Sequence, residues 1–276
     1  MSPVLKITTR NARFQQWHSL LSNRNKRQRL RAFVVQGVRP ITVALDRGWA
    51  VEAILFDPDR RLSEWARNVL EIAGGERFAL SRELIAELGE KTDDAPELLA
   101  VMSLPGDDLG RIPVAQDFLG IAFDRPTSPG NLGSVIRSAD SFGAAGVIVT
   151  GHAADPYDGA AVRASTGSLF AVPTVRVSSP ADVRDWVESH RAEGVPIQMV
   201  GTDENGDADV YDVDLTLPTL LVVGNETTGL SAGWRDGVDR LIRIPMTGSA
   251  SSLNAANAAS IVLYEAMRQR LRQPVG

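Results

Sequence analysis

The 276-residue sequence contains no cysteine, which excludes disulfides, a thiol nucleophile and Cys-ligated zinc. Its three histidines, His18, His152 and His190, lie too far apart for metal-ligand spacing, so no metal is expected. Two nucleotide signatures are also missing. No GxGxxG follows the first strand of the second half and no GxxxxGKS or GxxxxGKT occurs, so a Rossmann oxidoreductase or a P-loop enzyme has no motif to rest on. GTDENGDAD places Asp203, Asn205 and Asp207 at the spacing of a calcium loop. It lacks the glycine and the distal glutamate such a loop needs, and reads instead as an acidic loop after a strand. There is no run of about 18 apolar residues and no basic-then-apolar leader, so neither a membrane nor a secretory route is expected, and the expected location is cytoplasmic.

One further absence is local. Residues 1–45 contain no Asp or Glu but nine cations: Lys6, Arg10, Arg13, Arg24, Lys26, Arg27, Arg29, Arg31 and Arg39. The whole chain carries a net charge of -5, which leaves -14 on the remainder. A solvated helix face normally carries both signs, so a basic arm on an acidic body reads as a polyanion footprint.

The remaining sequence is that of a globular α/β protein, 43% hydrophobic and 23% charged. Phe14, Trp17, Leu20 and Leu21 fall at helical spacing, and Asn23 to Arg31 reads as a basic turn. Strands are expected at 33–36, 51–56, 77–80 and 98–104, with helices at 39–47, 62–72 and 83–88. LPGDDLGRIPVAQ then breaks the periodicity. The expected domains are therefore 1–105 and 117–276, joined by a linker over 106–116. In the second domain strands at 118–123, 146–150, 172–177, 196–201 and 220–223 alternate with helices that include 134–142 and 181–191. That alternation predicts a mainly parallel sheet with its ligand site at the carboxyl ends of the strands.

Three stretches carry the chemistry. TSPGNLGSVIRSAD leads from a loop into a helix and contains Asn131 and Arg137. LLVVGNETTGLS ends a buried strand in Gly224, Asn225 and Glu226, where an acid would be costly as a core residue and is expected in a site. In IPMTGSASSLNAANAASIVLY, every residue from Gly248 to Ser260 except Leu253 is Gly, Ser, Ala or Asn. Something must approach that segment closely: a close helix-to-sheet contact and a ligand both fit the composition. An apolar helix, 253–271, is expected to follow.

In order and separation the three stretches resemble the signature motifs of the SpoU (TrmH-like) branch of the SPOUT RNA methyltransferases. RNARFQQW and FVVQGVRP resemble the L30e-like domain that precedes the catalytic domain in many members. The resemblance implies an N-terminal L30e-like α/β domain that binds RNA and a C-terminal SPOUT α/β domain closed by a deep trefoil knot. It also implies S-adenosyl-L-methionine as cofactor, transfer to a ribose 2'-OH, and a homodimer paired through the knot region. AVRASTGSLF and GSASSLNAANAA lie nearest to members acting on a uridine of 23S rRNA, for which resistance to a ribosome-targeting antibiotic of the avilamycin type is the expected purpose. A tRNA or other rRNA 2'-O-methyltransferase of the same family, and a non-catalytic RNA-binding protein, are the alternatives. Ser128 stands where the family usually has Asp.

By the same resemblance Asn131, Arg137, Glu226, Ser252 and Asn254 form the catalytic set. Thr202, Gly224, Asn225, Glu226, Ile244, Met246, Ser252, Leu253 and Asn254 would hold the cofactor. Asn131 is expected to orient Arg137. The family role of Arg137 is general base, but an arginine stays protonated at ordinary pH, so the preferred reading has it bind the target phosphate and stabilise the developing alkoxide. Arg10, Arg13, Arg24, Lys26, Arg27, Arg29, Arg31, Arg163 and Ser165 are the expected RNA contacts, with a structural salt bridge the alternative for Arg163.

Overall fold

Asn11 starts the first helix of the chain by accepting a hydrogen bond from the Phe14 amide at 3.0 Å, and Asn23 does the same for Lys26 at 3.0 Å at the start of the next. These caps satisfy amides that a helix start leaves without partners. The computed structural model describes residues 3–90 and 95–272 and divides into two compact units. The first takes 1–105 together with Tyr157–Ala171, and the second takes 106–156 together with 172–276.

In the first unit the elements run β1 (Val4–Ile7), α1 (Ala12–Ser22), α2 (Arg24–Leu30), β2 (Ala32–Gln36), α3 (Val38–Asp46), β3 (Val51–Phe56), α4 (Glu64–Ile72), β4 (Glu76–Leu80), α5 (Arg82–Leu88) and β5 (Leu98–Ser103). The sheet order is β1-β4-β3-β5-β2, with β5 antiparallel to both of its neighbours. Phe14, Trp17 and Leu20 project from one face of α1 into a core with Phe78, Leu80, Ile85 and Leu99. The Trp17 and Phe78 rings meet edge to face at 4.8 Å, a favoured aromatic geometry.

Next in chain order come β6 (Leu119–Asp124), α6 (Pro129–Ser141), β7 (Gly146–Thr150), α7 (Gly159–Ser165), α8 (Ser168–Ala171), β8 (Thr174–Val177), α9 (Pro180–Ala192), β9 (Gln198–Thr202), β10 (Ala208–Asp209), β11 (Thr219–Val223), α10 (Ala232–Arg235), β12 (Arg240–Arg243) and α11 (Ala255–Leu271). Helices α7 and α8 belong to the first unit. There Phe33 lies 5.0 Å from the Tyr157 ring and 6.2 Å from Phe170, and the Trp49 indole N–H donates to the Phe170 carbonyl at 3.0 Å.

The second unit holds a parallel sheet of order β10-β12-β9-β11-β6-β7-β8. Every residue of β6, β7 and β11 is buried, as expected of central parallel strands covered on both faces. Among the described residues no helix is long and apolar enough to cross a membrane.

Several elements differ from their expected form. Helix α6 begins at Pro129 rather than Ser134, because Ser128 caps it through a bond from the Asn131 amide at 3.3 Å and proline is tolerated at a first helical position. Asn23 to Arg31 is not a turn: α2 fills it, with Arg31 left-handed at φ 53° as its cap. Helix α11 starts at Ala255 with Asn254 as cap, not at Leu253. The strand expected at 172–177 is shortened to Thr174–Val177 because α8 runs up to Ala171.

Over its first half the small-residue run makes no close helix-to-sheet contact, the first of its two readings. Residues 245–254 are exposed, and a Cβ added at Gly248 would meet nothing within 4 Å. Close packing within the chain begins only at Ala255, Ala256 and Ala259.

Candidate cofactor and active site

The carboxyl ends of β6, β9, β11 and β12 lie on one side of the sheet, together with the amino ends of α6 and α11. Strand β6 ends in Asp124, which is 1% exposed and anchors this side. Its carboxylate accepts from the Ser231 amide at 2.7 Å, the Thr150 hydroxyl at 3.2 Å, and Arg125 Nε and Nη2 at 3.2 and 3.1 Å. Arg125 Nη2 in turn donates to the Gly229 carbonyl at 3.2 Å, and Asn225 Nδ2 donates to the Arg125 carbonyl at 2.6 Å. The loop from Gly224 to Ser231 is thereby fixed at both ends. Gly224 must lack a side chain, since a Cβ there would fall 2.4 Å from the Gly229 carbonyl carbon.

Glu226 projects from that loop and collects donors from the start of α6. The Thr127 amide and hydroxyl reach Oε2 at 3.0 and 3.1 Å, while the Ser128 amide and Asn131 Nδ2 reach Oε1 at 3.2 and 3.1 Å. Burial pushes this carboxyl up, but the bonds from Thr127, its own backbone, Asn131 and Ser128 outweigh it and hold Glu226 below the ordinary carboxylate range. Asn131 then passes the chain on, accepting from Asn254 Nδ2 at 3.2 Å.

The amide orientations in this relay are dictated by chemistry. An ionised carboxylate only accepts, so Asn131 must turn its nitrogen to Glu226 and its oxygen outward. The Asn254 oxygen is already occupied by the Ala256 and Asn257 amides, at 2.9 and 3.3 Å, so its nitrogen faces Asn131. Three of the five expected catalytic residues thus form one hydrogen-bonded line.

Beside that line is a cavity of about 290 Å³, near the lower end of the size range of small-molecule sites. Thr202, Gly224, Asn225, Glu226, Ile244, Met246, Ser252 and Leu253 all line it. Of the residues expected to hold the cofactor, only Asn254 is not in the lining. Ile244, Met246 and Leu253 supply an apolar side, and Asp203, Glu204, Glu226 and Arg235 a charged one. That lining fits a ligand joining an aromatic base to a charged end, as S-adenosylmethionine does.

Arg137 stands apart. It is exposed on α6, and no hydrogen bond or ion pair of its side chain is found among the described residues. The expectation that Asn131 orients it is not met: both ends of the Asn131 amide are committed to Glu226 and Asn254. A separation of six residues also puts the two side chains on different sides of the helix.

The expected RNA contacts divide into three groups. Arg27 is 2% exposed and donates to the Leu20 and Leu21 carbonyls at 2.8 and 3.1 Å and to Asp158 at 3.4 Å. Ser165 is 0% exposed and donates to the Val162 carbonyl at 2.8 Å. Neither can meet a phosphate as the chain stands, and both expectations are corrected. Arg10, Arg13 and Arg163 are exposed but paired, with Glu87 at 2.7 Å, Glu76 at 3.5 Å and Glu90 at 3.1 Å. For Arg163 the salt-bridge alternative is thus the observed one. Arg29 and Arg31 are exposed, and Arg24 and Lys26 half-buried; Lys6 and Arg39, the other cations of the basic arm, are exposed as well. Arg31 Nη2 bonds the Leu104 carbonyl at 2.9 Å.

Residues not foreseen at the site are Asp124 and Arg125, which hold the loop, Thr127 and Ser128, which hold Glu226, and Asp203, Glu204 and Arg235 in the cavity wall. The position of Asp124 at the end of a fully apolar strand was the signal available for it, of the same kind as that for Glu226. Among the described residues there is no cluster of His, Asp and Glu suited to a metal.

Comparison with known proteins agrees along the chain. The description of the SpoU L30e-like domain matches residues 11–100, and that of the SpoU rRNA methylase family matches residues 119–264. The chain is 61% identical over 266 residues to the 23S rRNA (uridine(2479)-2'-O)-methyltransferase of Streptomyces viridochromogenes, covering 96% of this chain and 93% of that protein. It is 30% identical over 257 residues to the 23S rRNA (guanosine(2553)-2'-O)-methyltransferase RlmP of Bacillus subtilis, covering 93% and 96%. The crystal structure of the SpoU methyltransferase AviRb from Streptomyces viridochromogenes in complex with the cofactor AdoMet superimposes with a TM-score of 0.93 at 60% identity, covering 96% of this chain and all of that one.

Proposed function

Since the chain belongs to the SpoU rRNA methylase family, we propose that it transfers a methyl group from S-adenosylmethionine to the ribose 2'-OH of a uridine in 23S rRNA. The observation that carries this reading is the Glu226–Asn131–Asn254 line beside a cavity lined by the expected cofactor-holding residues. The uridine target follows the 61% identical relative rather than the guanosine-modifying one at 30%. Cytoplasmic location follows from that substrate, and protection against an antibiotic of the avilamycin type remains the proposed purpose.

Bound S-adenosylmethionine would supply a methyl already activated by its sulfonium, so the protein has to position reactants and manage one proton. Ile244, Met246 and Leu253 would pack the adenine, and the loop from Gly224 to Ser231 would line it on the other side. Ser252 and Asn254 would hold the cofactor and nucleotide. Glu226 stays ionised and fixes Asn131, while Arg137 is free to bind a substrate phosphate and stabilise the developing alkoxide with its fork of donors. Positioning alone contributes up to about 7–11 kcal/mol in well-oriented systems. Access to the ribose requires unstacking its nucleotide at a cost of a few kcal/mol, offset by phosphate contacts from Lys6, Arg24, Lys26, Arg29, Arg31 and Arg39.

The proposed assembly is a homodimer paired through the α11 region. Ile261 and Tyr264, 38% and 50% exposed, lie about one turn apart on α11, and the small-residue run 248–252 that precedes the helix is exposed as well. A second copy covering this face would explain why that run carries no large side chains. The trefoil knot is supported by the path of the chain, which leaves β12 at the far side of β9 and returns to pack α11 on α6 and β11.

The test is to incubate the protein and labelled S-adenosylmethionine with unmodified 23S rRNA, 16S rRNA and tRNA and to map 2'-O-methylation by primer-extension stops at low nucleotide concentration. A single uridine in 23S rRNA is the expected product. Transfer only to tRNA would overturn the target, and transfer to none would overturn the enzyme reading. Sedimentation should give twice the chain mass, and Tyr264→Glu should halve it.

A further inference from the structure

Among the described residues that line the cavity, only Arg235 is a cation. Its position is prepared rather than incidental. Arg235 Nη2 meets Asp203 Oδ2 at 2.5 Å, and the Asp203 side chain is only 5% exposed. Asp203 Oδ1 is itself fixed by the Asn205 amide at 3.0 Å. The guanidinium lies over Gly229, where an added Cβ would be 3.8 Å from Nη2, and Nε leans on the Leu230 carbonyl at 3.4 Å. Burying a carboxylate is costly unless it is paired, and here its partner is an arginine 45% exposed at the cavity wall. The arrangement holds one edge of the fork and leaves the rest of its donors for a ligand.

The proposed cofactor carries one anionic group, the α-carboxylate of its amino-acid end. Of the acidic residues in the wall, Glu204 and Glu226 suit its cationic groups but oppose that anion, while Asp203 is spoken for by Arg235. We propose that Arg235, held by Asp203, is the binding residue for the cofactor's carboxylate; this rests on the reading of the cavity as the S-adenosylmethionine site. Planar guanidinium donors recognise carboxylates in two-point geometry, and each such charge-assisted bond is stronger than a neutral one.

The test measures binding rather than turnover. S-adenosylhomocysteine and its decarboxylated analogue, identical except for the carboxylate, are titrated calorimetrically into the wild type, Arg235→Ala, Arg235→Lys and Asp203→Asn. The wild type should prefer S-adenosylhomocysteine about tenfold or more, the scale of a hydrogen bond to a charged group at a partly exposed site. Arg235→Ala should lose that preference by weakening S-adenosylhomocysteine alone, with Arg235→Lys keeping part of it. Asp203→Asn should show the same ligand-selective loss in smaller degree.

Equal weakening of both ligands by Arg235→Ala and Arg235→Lys would overturn the proposal in favour of a role in loop shape. Unchanged binding of both would also overturn it and leave Arg235 available to an RNA phosphate. If the wild type binds neither ligand, the cofactor reading itself fails, a result distinct from the other two.

Discussion

Asn131 holds Glu226 through a single bond of 3.1 Å that spans 95 positions of the sequence. It ties the start of α6 to the loop after β11, and through Asn254 to the cap of α11. The three signature stretches are therefore one polar unit, whose parts position one another.

Replacing Asn131 should break the unit at its middle. Asn131→Ala removes a charge-assisted bond, whose scale corresponds to roughly a 10- to 100-fold loss in kcat/KM. Asn131→Asp should be worse, because it sets a second carboxylate against Glu226. Single-turnover methyl transfer to 23S rRNA measures both; activity near wild type in Asn131→Asp would contradict the assigned relay.

Glu226 gives a pH dependence with a definite sign. Its carboxyl is held below the ordinary glutamate range in the folded chain. Its stabilising contribution is therefore complete above that range and is lost as pH falls through the folded value. Thermal melts of wild type and Glu226→Gln should differ most near neutral pH and converge on acidification. A difference that persists at the acid end would mean that the bonds to Glu226 do not depend on its charge.

Asp124 should act on affinity before chemistry. It is buried and accepts four hydrogen bonds, so Asp124→Asn should lower stability by about 2 kcal/mol, the scale for bonds to a charged group. Freeing Ser231 and Gly229 loosens the cavity loop, and the KM for S-adenosylmethionine should rise more than kcat falls. A proportionate loss in kcat alone would place Asp124 in the chemistry instead.

Arg137→Lys separates two roles. A lysine keeps the charge but not the fork, so activity should fall by about an order of magnitude, and by about two or more in Arg137→Ala. Near-full activity in the lysine variant would remove the need for a bidentate contact.

Arg27 and Arg29 are two residues apart and should fail in opposite assays. Arg29→Ala should leave the melting temperature unchanged and reduce the slope of log affinity for RNA against log salt by roughly 0.7–0.9 per lost contact. Arg27→Met should lower the melting temperature and leave that slope unchanged. Identical behaviour of the two would mean that burial does not separate them.

Much of this arrangement was legible in the sequence because central parallel strands are uninterrupted apolar runs, as in Leu220 to Val223. What was not legible has specific causes. Edge strand β1, with Val4 and Leu5 exposed, and the short strand β12 have no such run. The absence of acids from residues 1–45 suggested unneutralised charge, yet the partners come from Glu76, Glu87 and Asp158, far along the chain. Local composition cannot report such pairs. Of the two readings of the small-residue run, close packing within the chain does not hold at Gly248, where an added Cβ would meet nothing within 4 Å; approach by a ligand or a second copy is the reading that stays open.

Because Tyr157–Ala171 folds with the first unit, the chain passes from one unit to the other three times. The protein therefore has no clean seam for recombination. A chimera joined at Pro105 would pair the indole of Trp49 and the ring of Phe33 with a stranger's α8 in place of Phe170. Exchange of RNA specificity between relatives by domain swapping should succeed only when residues 157–171 travel with the amino-terminal half. The inheritable module is discontinuous in the gene.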